Sequence, residues 1–351
     1  MDTLTHALSG ALIARATAPK DAPPRSIPRR VAAGFFAAAA PDLDFVLGFV
    51  SPLVYLEQHR GPTHSVLLLP LWALLLSWAL AKILREPDGR TAGWRALYGV
   101  AALGIGVHIL GDLITSFGTI ILAPFSDARF GWGTTFIIDL WFSGIVLAGL
   151  LLATIWRRSR VPAVAASVVL VCYVGFQAVL KEHALDFARE YARLQGLQKA
   201  EVTAIPRAVS PFNWTVYVSD ELAHRYAHVN LRRQEPAPAA HDFLGRMDAA
   251  FQPLALARWE TATRYGSSAA EQEIARAAWE SPALGFMRWF AEKPAFDGLG
   301  KGSTCAWFID LRFANPGRDW LPFQYGACRE SAGAPWQAYQ RLDAGGRVPL
   351  R

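Results

Sequence analysis

The sequence has little charge and little cysteine, and both shortages limit the class of protein. Charged residues make up 18% of the 351 positions, whereas soluble domains average about 25%. Three cysteines are too few for a disulfide scaffold or a cysteine-rich zinc site. The net charge of +6 comes without a lysine-rich arm or basic residues interleaved with aromatic ones. We therefore expect part of the chain to lie in lipid, and we expect no nucleic-acid partner.

The apolar residues are concentrated in the first half of the chain. They account for 52% of the sequence, the mean hydropathy is +0.20, and the apolar character fades after about residue 183. We predict a mainly α protein, with a polytopic membrane domain of about five or six helices over residues 1–183. A soluble α+β domain is predicted over residues 184–351. Asp2 replaces the basic start of a cleavable signal peptide, so we expect export to depend on the spans.

Five apolar segments are long enough to cross a bilayer, which takes about 20 residues. In chain order they are 31–50, 65–84, 96–118, 136–156 and 161–180. The first of them is interrupted by Pro41, Asp42 and Asp44. A sixth segment, THALSGALIARA, opens the chain; it is short, and either spans or dips in from one side.

Basic residues mark alternate loops between these segments, as expected for loops on the cytoplasmic side. The three basic loops contain Lys20, Arg25, Arg29 and Arg30; Arg85, Arg90 and Arg95; and Arg157, Arg158 and Arg160. Arg60 and Arg129 are alone in the two loops that alternate with them. Six spans in this order predict that both chain ends and the second domain are periplasmic.

The second half has the composition of an α+β domain. NWTVYV, RYAHVNL, CAWFIDLRF and PFQYGAC are typical of strands, and residues 268–290 have helical periodicity. Cys305 and Cys328 can form a disulfide in an oxidising compartment. His224 and His228 are four apart, a spacing that does not converge on a metal ion in a strand.

The histidines and aspartates within or beside the predicted spans all fall on the predicted outer side. They are His6, Asp42, Asp44, His59, His64, His108 and Asp112, with Asp2 and Asp139 at segment starts. Ionisable groups inside membrane segments are costly, and their presence points to function. His108 and Asp112 are four apart and share one helix face. The one-sided distribution predicts a single site assembled from several segments.

The residue types favour a metal site. Imidazole and carboxylate groups bind Zn²⁺ or Mn²⁺, and the set is large enough for one or two ions. Such ions activate water and neutralise charge that develops on phosphoryl or acyl oxygens. Arg60 is predicted to clamp a phosphate or carboxylate.

Other interpretations remain open for these residues. Asp42 and Asp44 can cap a re-entrant helix, and His108 with Asp112 can relay protons in a transporter. His59 is further from the span than His64 and can be an ordinary loop residue. Asp2 and Asp139 can be interfacial or capping acids.

Four blocks of the sequence resemble the bacterial inner-membrane YdjM-like family of metal-dependent hydrolases. These blocks are MDTLTHALSGAL, APDLD, HRGPTHS and HILGD, in this order within the first half. The resemblance implies His6, Asp42, Asp44, His64, His108 and Asp112 as the functional set. The pattern is also distantly similar to zinc-dependent phospholipase C, which implies phosphoester or lipid substrates.

We therefore predict a multi-pass inner-membrane hydrolase with a metal-activated water at the periplasmic face. Its metal ligands are drawn from the seven histidines and aspartates of the one-sided set, including His59. Asp44, Arg60 and Asp112 are the predicted catalytic residues, and membrane lipids are the expected surroundings. The alternative is a non-enzymatic scaffold, or a transporter in which the same histidines and aspartates carry protons or ions.

Overall fold

Each apolar segment of the first half forms a helix in the computed structural model. The structure describes residues 1–23, 25–84, 93–238, 240–300, 304–318, 321–331, 333–342 and 346–350. Arg85 and Arg90 of one predicted basic loop lie outside the described residues. Internal contacts divide the chain into two units, which are Met1–Val46 with Gln58–Val179, and Leu47–Glu57 with Leu180–Arg351. The extracytoplasmic assignment of residues 184–351 stays a prediction.

The first half contains seven α-helices and two short 3-10 helices among its described residues. The α-helices are α1 (Thr3–Ala16), α2 (Ile27–Ala39), α3 (Pro52–Gln58), α4 (Leu69–Ile83), α5 (Trp94–Leu113), α6 (Leu140–Ile155) and α7 (Val161–Leu194). The 3-10 helices are Ala40–Phe49 and Pro62–His64. The predicted order, a helical membrane region followed by an α+β region, is confirmed.

Fewer helices meet the length and apolarity of a membrane span than the six segments expected. Among the described residues these are Ile27–Phe49, Trp94–Leu113 and Val161–Leu194. A fourth is counted if Pro52–His64 and Leu69–Ile83, bent by 84°, form one broken span. The α6 helix has 16 residues. It is shorter than predicted because Asp139 caps its start by accepting a hydrogen bond from the amide of Phe142 at 2.8 Å.

Glycine residues allow α1, α2 and α5 to pack with their backbones almost in contact. A Cβ atom on Gly10 would lie 2.2 Å from the carbonyl oxygen of Gly34, and one on Gly34 would lie 2.4 Å from that of Gly10. On α5, a Cβ on Gly104 would lie 2.9 Å from the Cβ of Ala37. Small residues are typical of close helix contacts in membranes. This packing brings together the three helices that contribute to the site described below.

Basic side chains bond to backbone carbonyls at the C-terminal end of α1. Arg15 donates to the carbonyl of Ser159 at 2.6 Å, and Arg30 donates to that of Ala14 at 2.9 Å. Arg160 donates to the carbonyl of Ala18 at 3.0 Å. Residues of two predicted basic loops therefore converge at one end of this helix.

Among its described residues, the second half contains two β-sheets of five strands each. The first is built from β1 (Glu201–Pro206), β2 (Asn213–Ser219), β3 (Ala223–Asn230), β4 (Gln252–Pro253) and β5 (Trp259–Thr263). The second is built from β6 (Pro294–Leu299), β7 (Cys305–Asp310), β8 (Tyr325–Cys328), β9 (Gln337–Arg341) and β10 (Arg347–Pro349). Its pairs are antiparallel, as are those of the first except β3 with β4. The helices are α8 (Phe243–Ala249), α9 (Ala269–Glu280) and α10 (Gly285–Phe290).

The disulfide left open by the sequence is present in this region. Cys305 and Cys328 are paired residues on β7 and β8, and they are bonded to each other. Both are buried, and Trp307 packs with them. The bond links neighbouring strands of the second sheet.

His224 and His228 have separate structural partners. Both ring nitrogens of His224 are engaged, by Ser219 Oγ and by the carbonyl of Pro294, each at 2.9 Å. His228 Nδ1 lies 2.8 Å from Thr215 Oγ1. Burial, and then the positive charge of Arg207, lower the pKa of His228 to about 3. Each of the two histidines therefore has structural partners of its own, and the expectation that the pair does not bind a metal ion stays a prediction.

Candidate metal centre

Four buried side chains from three parts of the first unit meet at one point. They are Asp42 in the 3-10 helix after α2, His64 in the short 3-10 helix, and His108 with Asp112 on α5. Each offers one nitrogen or oxygen, and these atoms lie within 4.8 Å of one another. His64, His108 and Asp112 are 0% exposed. We call this group the four-residue centre.

Hydrogen bonds outside the centre orient both imidazole rings toward it. His108 Nδ1 lies 2.6 Å from the carbonyl oxygen of Ala38, which can only accept a hydrogen bond. His64 Nδ1 lies 2.9 Å from Thr63 Oγ1, whose own proton is donated to Asp44. With a proton on each Nδ1, both Nε2 atoms present lone pairs. These two Nε2 atoms are 2.9 Å apart, a spacing that is repulsive unless a proton or cation lies between them.

The two carboxylate oxygens of Asp112 have different surroundings. Oδ1 lies 3.0 Å from Arg60 Nη2 and 3.1 Å from His6 Nε2, and it also contacts the α-amino group of Met1. Oδ2 is buried and has no hydrogen-bond partner among the described residues. It lies 3.2 Å from His64 Nε2 and 3.5 Å from His108 Nε2. A buried charged oxygen left in this state is costly, and a cation would satisfy it.

Asp42 is the fourth residue of the centre, and one of its carboxylate oxygens faces both histidines. Its Oδ1 lies 3.7 Å from His64 Nε2 and 3.5 Å from His108 Nε2. Its Oδ2 accepts a hydrogen bond from Thr3 Oγ1 at 2.7 Å, which fixes the carboxylate. This residue is 9% exposed, the most accessible of the four.

The spacing of the donor atoms fits one small metal ion. Ligands at about 2.0–2.1 Å around a tetrahedral Zn²⁺ ion are separated by roughly 3.4 Å. The separations of the histidine Nε2 atoms from each other and from the aspartate oxygens run from 2.9 to 3.7 Å. Two nitrogen and two oxygen donors suit Zn²⁺, and Mn²⁺ also accepts such a mixture. These separations are close to that value, so the four residues could hold a single divalent cation.

Asp44 organises the HRGPTHS loop from outside the four-residue centre. Its carboxylate lies 2.8 Å from His59 Nδ1, and it accepts from the backbone amide of Arg60 at 3.2 Å and from Thr63 Oγ1 at 3.1 Å. The Thr63 hydroxyl then contacts His64. Asp44 and His59 are thus neighbours of a candidate ligand, and their predicted roles as ligands stay predictions. Asp44 acts on the centre by fixing the ring of His64.

Arg60 is paired inside the protein. Arg60 is only 2% exposed. Its Nη2 lies 3.0 Å from Asp112 Oδ1, and its Nη1 donates a hydrogen bond to Thr115 Oγ1 at 3.1 Å. Its backbone has a φ of 61°, in the left-handed region that residues with side chains rarely adopt. Such strain is held by surrounding structure, often at functional sites. In the structure the guanidinium neutralises Asp112, so the predicted clamp for an anion stays a prediction.

His6 lies directly beside the centre, although it is not one of the four. Its ring stacks on that of His108 with centroids 3.8 Å apart. Gly111 provides the space for this ring, because a Cβ there would lie 3.0 Å from His6 Cε1. The structure places His6 as a partner of Asp112 Oδ1, and its predicted role as a metal ligand stays a prediction.

The acids at the segment starts have capping contacts, as the alternative interpretation held. Asp2 accepts from the amide of Thr5 at 3.0 Å at the start of α1. Asp139 caps α6 and also accepts from Tyr173 and Gln177 at 2.9 Å each. Sequence reasoning missed Thr3 and Thr63, two hydroxyl residues that orient the centre. Thr63 lies next to His64 in the motif, and that adjacency was the available signal.

The fold and the site together define a multi-helix membrane protein with a buried histidine–aspartate centre that could hold a metal ion. The model of the YdjM inner membrane protein family matches residues 1–184, and the chain belongs to this family. The family predicted from the four sequence blocks is therefore confirmed.

A curated relative extends the comparison. The chain is 26% identical over 183 residues to the "uncharacterized protein YfhP" of Bacillus subtilis (strain 168). The aligned part covers 51% of this chain and 53% of YfhP, so the chain spans about half the length of that relative. No solved structure matches the chain.

Proposed function

We propose that the protein is an integral-membrane, metal-dependent hydrolase that acts on phosphoester or lipid-like substrates. The observation that carries the proposal is the pair of facing Nε2 atoms of His64 and His108, 2.9 Å apart, beside the unpartnered Oδ2 of Asp112. A divalent cation between these atoms would remove the lone-pair repulsion and would give Asp112 Oδ2 a partner. We propose Zn²⁺ as the ion, with Mn²⁺ as the second choice.

The protein side chains have distinct roles in this proposal. His64, His108, Asp42 and Asp112 hold the ion, and an ion so held supplies Lewis-acid chemistry and activates water. Arg60 balances the charge of Asp112 through their 3.0 Å contact. Asp42 is the most accessible of the four residues, and the hydrogen bond from Thr3 to its Oδ2 fixes its carboxylate. Asp44 and Thr63 keep the donor nitrogen of His64 directed inward.

The hydrolase proposal is tested with the full-length protein in detergent. Bis-p-nitrophenyl phosphate and a fluorescent phosphatidylglycerol are offered with added Zn²⁺ or Mn²⁺. We expect turnover that falls by about 100-fold or more in His64→Gln, because loss of a metal ligand removes the Lewis acid. His183→Gln, a change at an exposed histidine on α7, should retain wild-type turnover. Metal binding without hydrolysis of either substrate would favour the scaffold or ion-transport alternative.

We further propose that the four-residue centre lies toward the periplasmic side of the inner membrane. The basic contacts of Arg15 and Arg30 lie at the end of α1 opposite to His6, and basic ends of spans face the cytoplasm. The Cys305–Cys328 bond in the second half supports an oxidising compartment for that region.

A reporter fusion tests this orientation. A reporter that is active only in the periplasm, fused after Ala184, should give a strong signal. The same reporter fused after Arg158, in a predicted cytoplasmic loop, is the matched control and should remain inactive. A cytoplasmic signal after Ala184 would reverse the proposed orientation.

A further inference from the structure

An apolar cavity of about 340 Å³ lies in the first unit, beside the four-residue centre. Its walls come from α1, α5, α6 and α7, with Trp132 from the loop before α6. Leu12, Ile114, Phe142, Leu170 and Val174 are among the residues that line it. The volume is within the range of about 300–1,000 Å³ that ligand sites occupy.

The walls of the cavity present almost no polar atoms that need a hydrogen-bond partner. Two serines line it, and both hydroxyls are satisfied by their own helices. Ser9 Oγ donates to the carbonyl of Thr5 at 2.7 Å, and Ser167 Oγ donates to that of Ala163 at 2.8 Å. Ordered water needs two or more polar partners, so this space suits a hydrocarbon group rather than water or a polar ligand.

One wall of the cavity is also a wall of the centre. His6 lines the cavity, and on its other side its Nε2 lies 3.1 Å from Asp112 Oδ1 and its ring stacks on His108. Gly111, the neighbour of Asp112, also lines the cavity, and its missing side chain leaves the ring of His6 in place. An apolar chain in the cavity would therefore end within one side chain of the candidate metal ligands.

We propose that this cavity holds an acyl chain of a membrane phospholipid, the substrate whose phosphoester end reaches the four-residue centre. The inference rests on the proposed hydrolase function and narrows its substrate class. The surrounding helices include candidate membrane spans, so the occupant is available by lateral diffusion from the bilayer. Because the occupant comes from the bilayer, its acyl chain exchanges one apolar environment for another, so the cavity positions the substrate rather than supplying most of its affinity. His6 marks the boundary between the apolar chain and the polar end.

The test uses phosphatidylglycerol with a diazirine on one acyl chain as the photocrosslinking probe. Full-length protein in detergent is irradiated with the probe, and labelled peptides are mapped by mass spectrometry. We expect saturable labelling of the α7 peptide that contains Leu170, removed by excess unlabelled phosphatidylglycerol. Leu170→Trp places a larger side chain in the cavity and should reduce this labelling at least five-fold. Val168→Trp, the same change at an exposed position of the same helix, should leave it unchanged.

The outcomes separate this inference from the hydrolase proposal, because crosslinking does not require cleavage. Labelling that persists in His64→Gln and is lost in Leu170→Trp supports the cavity as the acyl-chain site whether or not hydrolysis is found. Labelling that never saturates, or that is equal in Leu170→Trp and Val168→Trp, would overturn the inference. Hydrolysis of bis-p-nitrophenyl phosphate would then still stand on its own. Val174→Trp, another cavity position on α7, replaces Leu170→Trp if that variant does not fold.

Discussion

Replacing His64 and His108 together by alanine is expected to abolish binding of a divalent metal ion. Purified wild-type protein should contain about one Zn²⁺ or Mn²⁺ per chain, and the double variant less than about a tenth of that. The physical reason is that both nitrogen donors disappear, and the two remaining carboxylates favour weakly held hard cations. Metal analysis by mass spectrometry after purification without chelators gives the stoichiometry directly.

Two further variants are compared with this double variant in the same metal analysis. His183→Ala/His241→Ala removes two exposed histidines from other parts of the chain, and its metal content should equal that of the wild type. Asp44→Asn should weaken metal affinity by about 10–100-fold without abolishing binding, as changes to residues that orient a ligand usually do. A double variant of His64 and His108 that retains a full metal ion would refute the centre.

Gly34→Ala is expected to lower the free energy of unfolding by about 2–3 kcal/mol, which is the usual scale for an overpacked contact. The new Cβ would lie 2.4 Å from the carbonyl oxygen of Gly10 and 2.5 Å from the Cβ of Ala14, so α1 and α2 must separate. Ala38, whose carbonyl orients His108, lies one turn further along α2. Metal affinity should therefore fall together with stability. Thermal unfolding in detergent, followed by metal titration of the folded protein, measures both effects.

Gly99→Ala provides the matched control on α5. Apart from its chain neighbours and the backbone of its own helix, a Cβ at Gly99 would have no described heavy atom within 4 Å. Its stability should remain within about 1 kcal/mol of the wild type, the difference in helix propensity between glycine and alanine. Equal stability of the Gly34 and Gly99 variants would mean that the close contact of α1 with α2 does not hold the bundle together.

The helical half was predictable because apolar segments of sufficient length have few alternatives in lipid. His64, His108, Asp42 and Asp112 were identifiable for a related reason, since charged and imidazole groups are rare at such positions unless they have partners. We inferred that they converge because all of them fall on the same predicted side of the membrane. The structure brings the four together within the first unit.

The parts that sequence reasoning did not resolve depend on contacts between distant segments. Asp44 and Asp42 are two residues apart, yet only Asp42 reaches the centre. The difference arises because Asp44 accepts hydrogen bonds from the loop that follows, at Arg60 and Thr63. The lengths of α4 and α6 were overestimated for a local reason. The turn before Leu69 and the cap at Asp139 make each helix begin later, inside its apolar run.

The close packing of α2 and α5 at Gly34 and Gly104 also bears on which ions the four-residue centre could distinguish. Asp42 follows α2, and His108 and Asp112 lie on α5. The separations of their donor atoms therefore depend on how closely these two helices pack, and close-packed helices resist expansion. Ca²⁺ needs six to eight oxygen ligands at about 2.3–2.6 Å, a larger shell than four donors separated by 2.9 to 3.7 Å can provide. Any selectivity of this centre for a small ion against Ca²⁺ would thus depend in part on glycines that lie outside the centre.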